Sequence, residues 1–488
     1  MDKLSFEYAN REGVFISHSD SSNSRVIMRD NVSLDALLEI QRRFPHGLEL
    51  QRVSDQDFQQ KLQNFYQAQS EGFDETLFDG EPLWQDDDIE LLADGDEAPI
   101  IKLFNRMLSQ AIRRKASDIH VEPFRGQLSI RFRIDGVLQE IQTLSGELAP
   151  RLCSRIKVLA KLDIAEQRLP QDGRMTVNLA GKPIDLRIST IPANHGERLV
   201  LRILDKSQQQ LSIAQLGMPE QLLKAFKSSI RQSNGLILVT GPTGAGKTST
   251  LYAALQDIHS SEKNILTVED PIEYELAGIG QVPVNPAIDM GFAKALRAIL
   301  RQDPDVLMVG EIRDPETASI AVQASLTGHL VMSTLHTNNA HEAVNRLLDL
   351  EQESFLLASA IKAILAQRLL RRLCSECRVE SSISPEQAQQ LGHRTLAGQR
   401  IYEASHCKAC DETGYSGRVA VFELIILDKN NQARLHKLQH NSGDDAAQDN
   451  PFSSVQNSSL HSHCIDRLLA GDTSYEEILR VHNLKDGE

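Results

Sequence analysis

Between residues 209 and 372, the hydrophobic positions gather into short, almost continuous apolar runs separated by helical patterns. The runs are "LILVT" (236–240), "NILTVED" (264–270), "VLMVG" (306–310) and "HLVMSTL" (329–335). Apolar runs of about four to eight residues are typical of strands buried on both faces. Strands that alternate with helices form a mainly parallel sheet. The pattern therefore predicts an α/β domain over 209–372, in which Pro283 of "QVPVN" marks an edge strand.

A different pattern precedes this domain, over residues 98–208. It begins with an amphipathic helical stretch, "APIIKLFNRMLSQAIRRKASDIHVEP", and continues with "GQLSIRFRIDGVLQEI" and "KPIDLRISTIP". Alternating polar and apolar residues in the last two segments predict strands with one polar and one apolar face. We therefore expect a separate domain here, which ends in the polar "DKSQQQ".

Residues 1–97 divide into a small domain and a charged linker. Within 1–70, "LDALLEIQRRF" and "DQDFQQKLQNFYQ" have helix-like apolar spacing. Residues 71–97 hold twelve Asp or Glu and no Lys or Arg, which accounts for most of the net charge of −15. Such a self-repelling block predicts a flexible linker, and a specific acidic docking strip is the alternative.

The composition is that of an ordinary soluble globular protein, with 41% apolar and 24% charged residues. No apolar run approaches the ~18–20 residues that a membrane span needs, and the N-terminus lacks the pattern of a signal peptide. We therefore expect a cytoplasmic protein that works at a membrane only through partners. The acidic balance argues against nucleic acid as the main ligand, because phosphate backbones require a basic surface.

The segment "LILVTGPTGAGKTST" carries the phosphate-loop pattern G-x-x-x-x-G-K-[ST] between an apolar strand and a helical pattern. Its glycines let backbone N–H groups surround phosphates, and the helix N-terminus adds a partial positive charge. We expect Lys247 to reach the outer phosphates of ATP and the Thr248 hydroxyl to bind Mg²⁺. The predicted nucleotide-binding residues are Gly241, Pro242, Thr243, Gly244, Ala245, Gly246, Lys247, Thr248, Ser249 and Asp270.

The apolar run at 306–310 ends in Gly310 and Glu311, whereas many phosphate-loop enzymes have a Mg²⁺-binding Asp at this strand end. A second strand end, "ILTVEDPIEYE", supplies Glu269, Asp270 and Glu273. Ligands of a parallel sheet gather at the carboxyl ends of its strands. We assign Glu311 as the base that orients the attacking water, and the other three acids to the metal side. The alternative for each acid is a salt bridge or a helix cap.

Two further pairs of residues are candidates for the same pocket. Arg297 and Arg301 in "LRAILRQDPD" lie four residues apart on one helical face, and paired arginines can stabilise charge on a transferring phosphoryl group. A solvated helix face is the alternative. His329 and His336 in "TGHLVMSTLHTNNA" flank a predicted strand, where each is either a structural residue or a participant in the site.

Four of the six cysteines follow the spacing C-x₂-C-x₂₉-C-x₂-C. Because structural disulfides are rare in the cytoplasm, paired C-x-x-C elements indicate a closed Zn²⁺ site of four thiolates, with a structural role. The long spacer must then form a small lobe, which we place at 373–425. A redox pair or free thiols are the alternatives, and we expect Cys153 and Cys464 to be unliganded. The predicted zinc ligands are Cys374, Cys377, Cys407 and Cys410.

The remaining segment, 426–488, combines a polar stretch with a last helix. The stretch at 439–463 is rich in Asn, Ser, Asp and His, and its composition predicts a disordered loop. Ser474 with Glu477 three residues later predicts a capping box at the start of the helix.

Several motifs occur together and in order along the chain. They are "SDIHVEP" (117–123), "LPQDGR" (169–174), "GPTGAGKTST", "VEDPIEYE", "RQDPDVLMVGEIRD", "TGHLVMSTLHTNNA" and the tetracysteine followed by "DETGYSGR". With this combination, nearly the whole chain resembles the type II secretion ATPase (general secretion pathway protein E) family. Type IV pilus assembly ATPases are close relatives of that family. Glycine before glutamate at the end of the Walker B strand is the usual form in the superfamily.

The resemblance implies a RecA-like phosphate-loop ATPase core preceded by a PAS-like α+β domain and a small N-terminal docking domain. It also implies a zinc-binding C-terminal lobe. The aspartate box of the family matches residues 269–273, and its histidine box matches His329 and His336. The family's catalytic arginines match Arg187 in "DLRIST", Arg202 in "LVLRIL", Arg297 and Arg301.

The resemblance further implies a homo-hexameric ring that hydrolyses ATP with Mg²⁺ at the cytoplasmic face of the inner membrane. Residues 1–97 would dock on an inner-membrane assembly protein, and the ring would act on a platform protein that assembles pseudopilin subunits. The short N-terminal domain favours secretion over the alternative of a pilus extension ATPase. Further alternatives are an ATP-gated assembly scaffold and a DNA translocase, and the acidic balance argues against the latter.

Overall fold

The structure is a computed structural model that describes residues 98–179, 182–204, 211–437 and 459–482, with parts of 12–61. Within 12–61 the described residues are 12–19, 23–29, 47–54 and a few single positions. The chain divides into two compact units, Met1–Lys206 and Ser207–Glu488. The predicted acidic linker at 71–97 lies outside the described residues.

A three-stranded sheet comes first in the N-terminal unit. It contains β1 (Val14–Ser19), β2 (Asn23–Arg29) and β3 (Gly47–Val53). Strand β2 lies in the middle, antiparallel to β1 and parallel to β3. Ala36, Ile40 and Phe58, from the two segments with helix-like spacing, are helical and buried.

An antiparallel six-stranded sheet with helices follows in the same unit, in the order β6-β5-β4-β9-β8-β7. Its elements are α1 (Ala98–Arg113), β4 (Asp118–Phe124), β5 (Gln127–Ile134), β6 (Val137–Ser145), α2 (Leu148–Ala160), β7 (Gln171–Leu179), β8 (Lys182–Ala193) and β9 (Gly196–Leu204). Ile119 and Val121 of β4 belong to a core with residues of α1 and α2, whereas Asp118 and His120 face the other side. Every second residue of β5 and of β8 lies in the same core, so the alternation predicted for these two strands is confirmed; the residues are Leu128, Ile130, Phe132, Ile184, Leu186 and Ile188.

A seven-stranded sheet organises the C-terminal unit, in the order β12-β11-β13-β14-β10-β15-β18. Its strands are β10 (Gly235–Thr240), β11 (Ile265–Glu269), β12 (Gly280–Pro283), β13 (Val306–Val309), β14 (Leu330–Leu335), β15 (Ile361–Leu373) and β18 (Tyr415–Ile426). All neighbouring strands are parallel except β15 and β18. The four predicted strands are confirmed, and Pro283 lies on the edge strand β12 as expected.

Helices cover both faces of this sheet. They are α3 (Glu220–Ile230), α4 (Lys247–Ile258), α5 (Phe292–Ile299), α6 (Pro315–Leu326), α7 (Ala340–Asp349) and α8 (Ser354–Ala360). Along β10, Leu236 and Leu238 pack in a core with α5 to α8, whereas Ile237 and Val239 pack with α3 and α4. The continuous apolar character of the strand therefore reflects burial on both sides.

The spacer between the two cysteine pairs forms secondary structure of its own. It contains β16 (Val379–Ser382), α9 (Pro385–Gln390) and β17 (Arg400–Glu403). The two strands are antiparallel to each other. Strand β18 lies inside the range assigned to the lobe at 373–425, but it pairs with β15 and extends the large sheet.

Helices α10 (Lys429–Lys437), α11 (Leu460–Leu469) and α12 (Tyr475–His482) end the described chain. Residues 439–458 of the predicted loop lie outside the described residues, and the prediction is wrong at 460–463, because α11 begins at Leu460. Ser459 supplies the N-cap, and its side chain accepts a hydrogen bond from the backbone of Ser462. Among the helices described, none combines the length and apolar character that crossing a bilayer requires.

Half of the predicted capping box is present at α12. Ser474 Oγ accepts a hydrogen bond from the Glu477 backbone N–H at 3.2 Å. The Glu477 carboxylate bonds instead to Arg371 of β15 and to Arg480, with Glu477 Oε2 2.9 Å from Arg371 Nε. Burial opposes ionisation, but these arginine hydrogen bonds prevail and hold the pKa of Glu477 below its ordinary value. Glu477 therefore attaches the last helix to the large sheet.

Replacing Glu477 with Gln should destabilise this attachment by about 3–5 kcal/mol, because Arg371 and Arg480 would lose a buried anionic partner. Hydrogen exchange of residues 475–482 measures the effect locally. Glu476→Gln, at an exposed position of the same helix, is the matched control. Equal protection of α12 in the two variants would contradict this role of Glu477.

Candidate active site

The carboxyl ends of four parallel strands bring the predicted site together. Strand β10 leads into Gly241, β11 ends at Glu269, β13 leads through Gly310 to Glu311, and β14 leads into His336. These strands are neighbours, so their last residues share one edge of the sheet.

The phosphate loop joins β10 to α4 through a backbone that requires glycine at two positions. Gly241 and Gly246 have φ values of 150° and 85°. A Cβ at Gly241 would lie 2.4 Å from the backbone oxygen of Gln367, and one at Gly246 would lie 2.9 Å from its Nε2. Because α4 begins at Lys247, the loop opens onto the positive end of a helix dipole. The cradle is therefore suited to phosphate groups.

Lys247 is buried at the start of α4, and its ammonium contacts the loop itself. Nζ donates to the carbonyls of Gly241 and Pro242 at 2.8 and 3.1 Å. Burial, together with the positive charge of Arg368, lowers the pKa of Lys247 to about 8, although Glu311 opposes the shift. The ammonium is thus held close to deprotonation by its surroundings.

His336 links Lys247 to Glu311. Lys247 Nζ lies 3.5 Å from His336 Nδ1, and His336 Nε2 lies 3.3 Å from Glu311 Oε2. Burial and the charge of Lys247 lower the pKa of His336, so the neutral ring prevails at pH 7. Since ammonium can only donate, Nδ1 accepts from Lys247 and Nε2–H donates to Glu311. The His336 ring therefore bridges the Lys247 ammonium and the Glu311 carboxylate.

Glu311 is buried, and its second oxygen is held by an arginine that the sequence reasoning did not single out. Arg313 Nη2 lies 2.5 Å from Glu311 Oε1, and the same guanidinium interacts electrostatically with Asp270. The sequence feature that could have identified Arg313 is its position two residues after Glu311. The carboxylate of Glu311 is thus oriented from two sides.

The three acids of the second strand end lie in different environments. Glu269 is 3% exposed and accepts hydrogen bonds from Thr267 and Tyr252. Asp270 and Glu273 are exposed. The structure therefore leaves Asp270 and Glu273 accessible to a metal ion and its waters, and encloses Glu269.

Two adjacent residues of β15 support the site and were not predicted. Gln367 Oε1 accepts a hydrogen bond from Thr250 Oγ1 of α4 at 2.7 Å, and Gln367 also lies against the phosphate loop. Arg368 donates to the backbone and side-chain oxygens of Asn338 at 3.0 Å. Gln367 thus supports the phosphate loop, and Arg368 supports the segment that follows His336.

The structure does not bring Arg297, Arg301 or His329 to this pocket. Arg297 pairs with Glu316 at 2.6 Å, and Arg301 donates to the Arg297 carbonyl at 2.9 Å. His329 precedes β14, where its Nδ1 lies 3.0 Å from the Ala324 carbonyl oxygen. Seven residues of extended chain separate His329 from His336 by about 23 Å. Their catalytic roles stay predictions.

Arg187 and Arg202 lie on the polar face of the six-stranded sheet in the N-terminal unit. They are directly opposite each other on β8 and β9. Arg202 Nε donates to Asp118 of the "SDIHVEP" motif at 3.0 Å. In the same motif, Glu122 pairs with Arg131 and with Arg198. This face carries several arginines whose charge is partly balanced by buried acids.

The four predicted zinc ligands converge. Their Sγ atoms all lie within 4.8 Å of one another, with separations of 3.9 Å for Cys374–Cys407, 3.8 Å for Cys377–Cys410 and 3.6 Å for Cys407–Cys410. Four sulfurs bound to Zn²⁺ at ~2.3 Å form a tetrahedron with edges of about 3.8 Å. The cluster therefore fits a metal ion of this size, whereas Cys153 and Cys464 are buried elsewhere.

This arrangement suits phosphoryl transfer to water, because a cationic phosphate cradle lies beside an oriented, buried carboxylate. Residues 93–480 match the family described as "Type II/IV secretion system protein". The chain belongs to this family. Residues 3–66 also match an N-terminal domain of the family described as "GSPII protein E", so the similarity includes the region before the linker.

The similarity to known relatives covers almost the entire length of the chain. It is 46% identical to "Type II secretion system ATPase E" of Vibrio cholerae, over 98% of this chain and 96% of the relative. It is 47% identical to "Type II secretion system protein E" of Dickeya dadantii, with the same two coverages.

A solved structure supports the same assignment. The pilus retraction motor PilT with bound ADP is 25% identical and matches 77% of this chain and 96% of its own, with a TM-score of 0.51. The Yersinia pseudotuberculosis ATPase DotB, at 19% identity and a TM-score of 0.52, covers 78% of this chain and 92% of its own and shares the fold. The fold is thus the mixed α/β fold of these ATPases.

Nucleotide affinity should depend on the protonation of Lys247. As pH rises through its pKa of about 8, the ammonium loses its charge, and affinity should fall toward tenfold per pH unit. Titration with a fluorescent ATP analogue between pH 7 and 9.5 measures this. Lys247→Arg is the control, since a guanidinium stays charged and should give a flat profile. A flat profile for the unmodified chain would contradict the assignment.

The tetracysteine should bind one zinc ion per chain. Cys407→Ser with Cys410→Ser removes two of the four thiolates, so zinc should be lost after dialysis against a chelator. Elemental analysis by mass spectrometry measures the metal content. Cys464→Ser, at a buried cysteine outside the cluster, should keep the full content. Stoichiometric zinc in the double variant would show that the ion binds elsewhere.

Proposed function

We propose that the chain is the motor ATPase of a type II secretion system, in which ATP hydrolysis drives pseudopilus assembly and protein export. The observation that carries this proposal is the connected set Lys247–His336–Glu311, which couples the phosphate loop to a buried acid. The full-length similarity to type II secretion ATPases, including the N-terminal domain, supports the biological assignment.

ATP would bind with its phosphates in the cradle between Gly241 and Gly246. In that state Lys247 exchanges its bonds to the loop carbonyls for bonds to phosphate oxygens. The Thr248 hydroxyl at the start of α4 would hold Mg²⁺, with Asp270 and Glu273 toward its waters. The ion would neutralise charge on the phosphates.

Glu311 acts in this proposal as the base that accepts a hydrogen bond from the attacking water. Arg313 and His336 each hold one of its oxygens, so the carboxylate is oriented before the substrate arrives. Orientation of this kind lowers the reorganisation that the reaction requires.

The finer domain assignments belong to the same proposal. They are an N-terminal docking domain at 1–70, the acidic linker at 71–97, a PAS-like domain at 98–208, the RecA-like core at 209–372, the zinc lobe at 373–425 and the C-terminal region at 426–488. The docking domain and linker would bind an inner-membrane assembly protein. The chain would thereby work at the cytoplasmic face of that membrane through partners alone.

A homo-hexameric ring is the proposed working form. Arg297 on α5 and Arg301 in the turn after it are exposed, and Arg187 and Arg202 belong to the other compact unit. In this proposal Arg187 and Arg202 would meet the nucleotide through their own unit, within one subunit or across the boundary to a neighbouring subunit. Motion between the domains would be passed to the platform protein.

Glu311→Gln tests the motor function. ATP hydrolysis should fall by about 10²–10⁴-fold, because an amide is a poor base, while ATP binding should persist. Phosphate release, nucleotide titration and secretion from complemented cells are the measurements. Glu262→Gln, at an exposed loop position, is the matched control. Normal secretion by a hydrolysis-deficient Glu311→Gln chain would overturn the motor function.

A further inference from the structure

A set of four side chains, three of them buried and one half-buried, lies beside the candidate active site and involves residues with no assigned role. It consists of Tyr252 on α4, Thr267 and Glu269 on β11, and Gln281 on β12, and is called the Tyr252 network below. Tyr252 is fully buried, and Glu269 is 3% exposed. A polar cluster enclosed in this way is stable only when its members satisfy one another.

Three hydrogen bonds of the network go to the Glu269 carboxylate. Tyr252 Oη donates to Glu269 Oε2. Thr267 Oγ1 donates to Glu269 Oε1 at 2.6 Å, and Gln281 Nε2 donates to the same oxygen at 3.1 Å. Burial, together with the hydrogen bond to Glu269, raises the pKa of Tyr252, so its hydroxyl remains a donor. Both oxygens of Glu269 are thus engaged inside the core.

The network also contacts the backbone of the segment that follows β11, residues 270–276. The Glu273 N–H points to Tyr252 Oη at 3.4 Å, and the Leu276 N–H donates to Gln281 Oε1 at 2.8 Å. Gln281 Nε2 donates to the Tyr274 carbonyl at 3.2 Å, and the Tyr274 ring meets that of Tyr252 edge-on at 4.7 Å. Segment 270–276 is therefore attached at several points.

We propose that Tyr252, acting through Glu269 and Gln281, is a positioning residue that holds segment 270–276 against the phosphate-binding helix α4. Tyr252 and Thr248 share that helix, so the network places the exposed acids Asp270 and Glu273 relative to the proposed Mg²⁺ ligand. In this proposal Glu269 helps to hold segment 270–276 in place and does not bind the metal ion or its waters. Only the catalytic consequence rests on the proposed ATPase function.

Hydrogen exchange of the full-length chain without nucleotide tests the attachment directly. Tyr252→Phe removes the hydroxyl and keeps the ring, so amides in 270–276 should exchange about threefold to tenfold faster. Tyr274→Phe is the matched control, because it deletes a neighbouring hydroxyl that forms none of these bonds and should leave exchange unchanged. Gln281→Leu provides an independent variant, and it should loosen the same amides. Unchanged exchange in either Tyr252→Phe or Gln281→Leu would overturn the proposal.

Magnesium dependence separates positioning from direct metal contact. For Tyr252→Phe and for Glu269→Gln, the Mg²⁺ concentration at half-maximal hydrolysis should rise about threefold to tenfold, with Mg²⁺-free nucleotide affinity unchanged. Loss of hydrolysis in Glu269→Gln as deep as in Glu311→Gln, with normal exchange of 270–276, would place Glu269 in the metal shell and overturn the proposal. An inactive parent chain would instead contradict the proposed function, while the exchange experiment would still test the attachment.

Discussion

The parallel pairing of β10 with β14 and with β15 is the constraint on which the candidate active site depends. Thr240 is paired with Leu335 on one side and with Ala366 on the other. The residues that follow these three positions are Gly241, His336 and Gln367. All three therefore come together at the phosphate cradle. A shift of one residue in either pairing would turn these side chains to the opposite face of the sheet.

Much of the fold and part of the site could be predicted from the sequence, because the relevant signals are local. Burial on both faces of a strand makes most of its residues apolar, and this pattern identified β10, β11, β13 and β14. The phosphate loop is recognisable since its backbone conformation requires glycine at fixed positions. The tetracysteine follows from ligand spacing, which needs no knowledge of the rest of the chain.

The unpredicted parts are contacts between residues far apart in sequence. Gln367 reaches Thr250 across 117 positions, and nothing local to either residue indicates this hydrogen bond. Glu269 and the exposed Asp270 are adjacent acids at one strand end, and partners distant in sequence, Tyr252 and Gln281, distinguish the environment of Glu269. His329 illustrates the opposite case, in which residues close in sequence lie far apart in the structure. His329 and His336 flank one strand, and the extended backbone between them keeps the two rings apart.

Strand β15 contacts each functional part of the C-terminal unit in turn. Gln367 and Arg368 support the nucleotide pocket, Arg371 holds the last helix through Glu477, and Cys374 follows the strand directly. From Gln367 to Cys374 the extended chain covers about 23 Å. Over this length β15 is hydrogen-bonded to β18, whereas its pairing with β10 ends at Ala366. The cysteine cluster and the residue that supports the phosphate loop are therefore joined by one continuous strand, with no intervening loop.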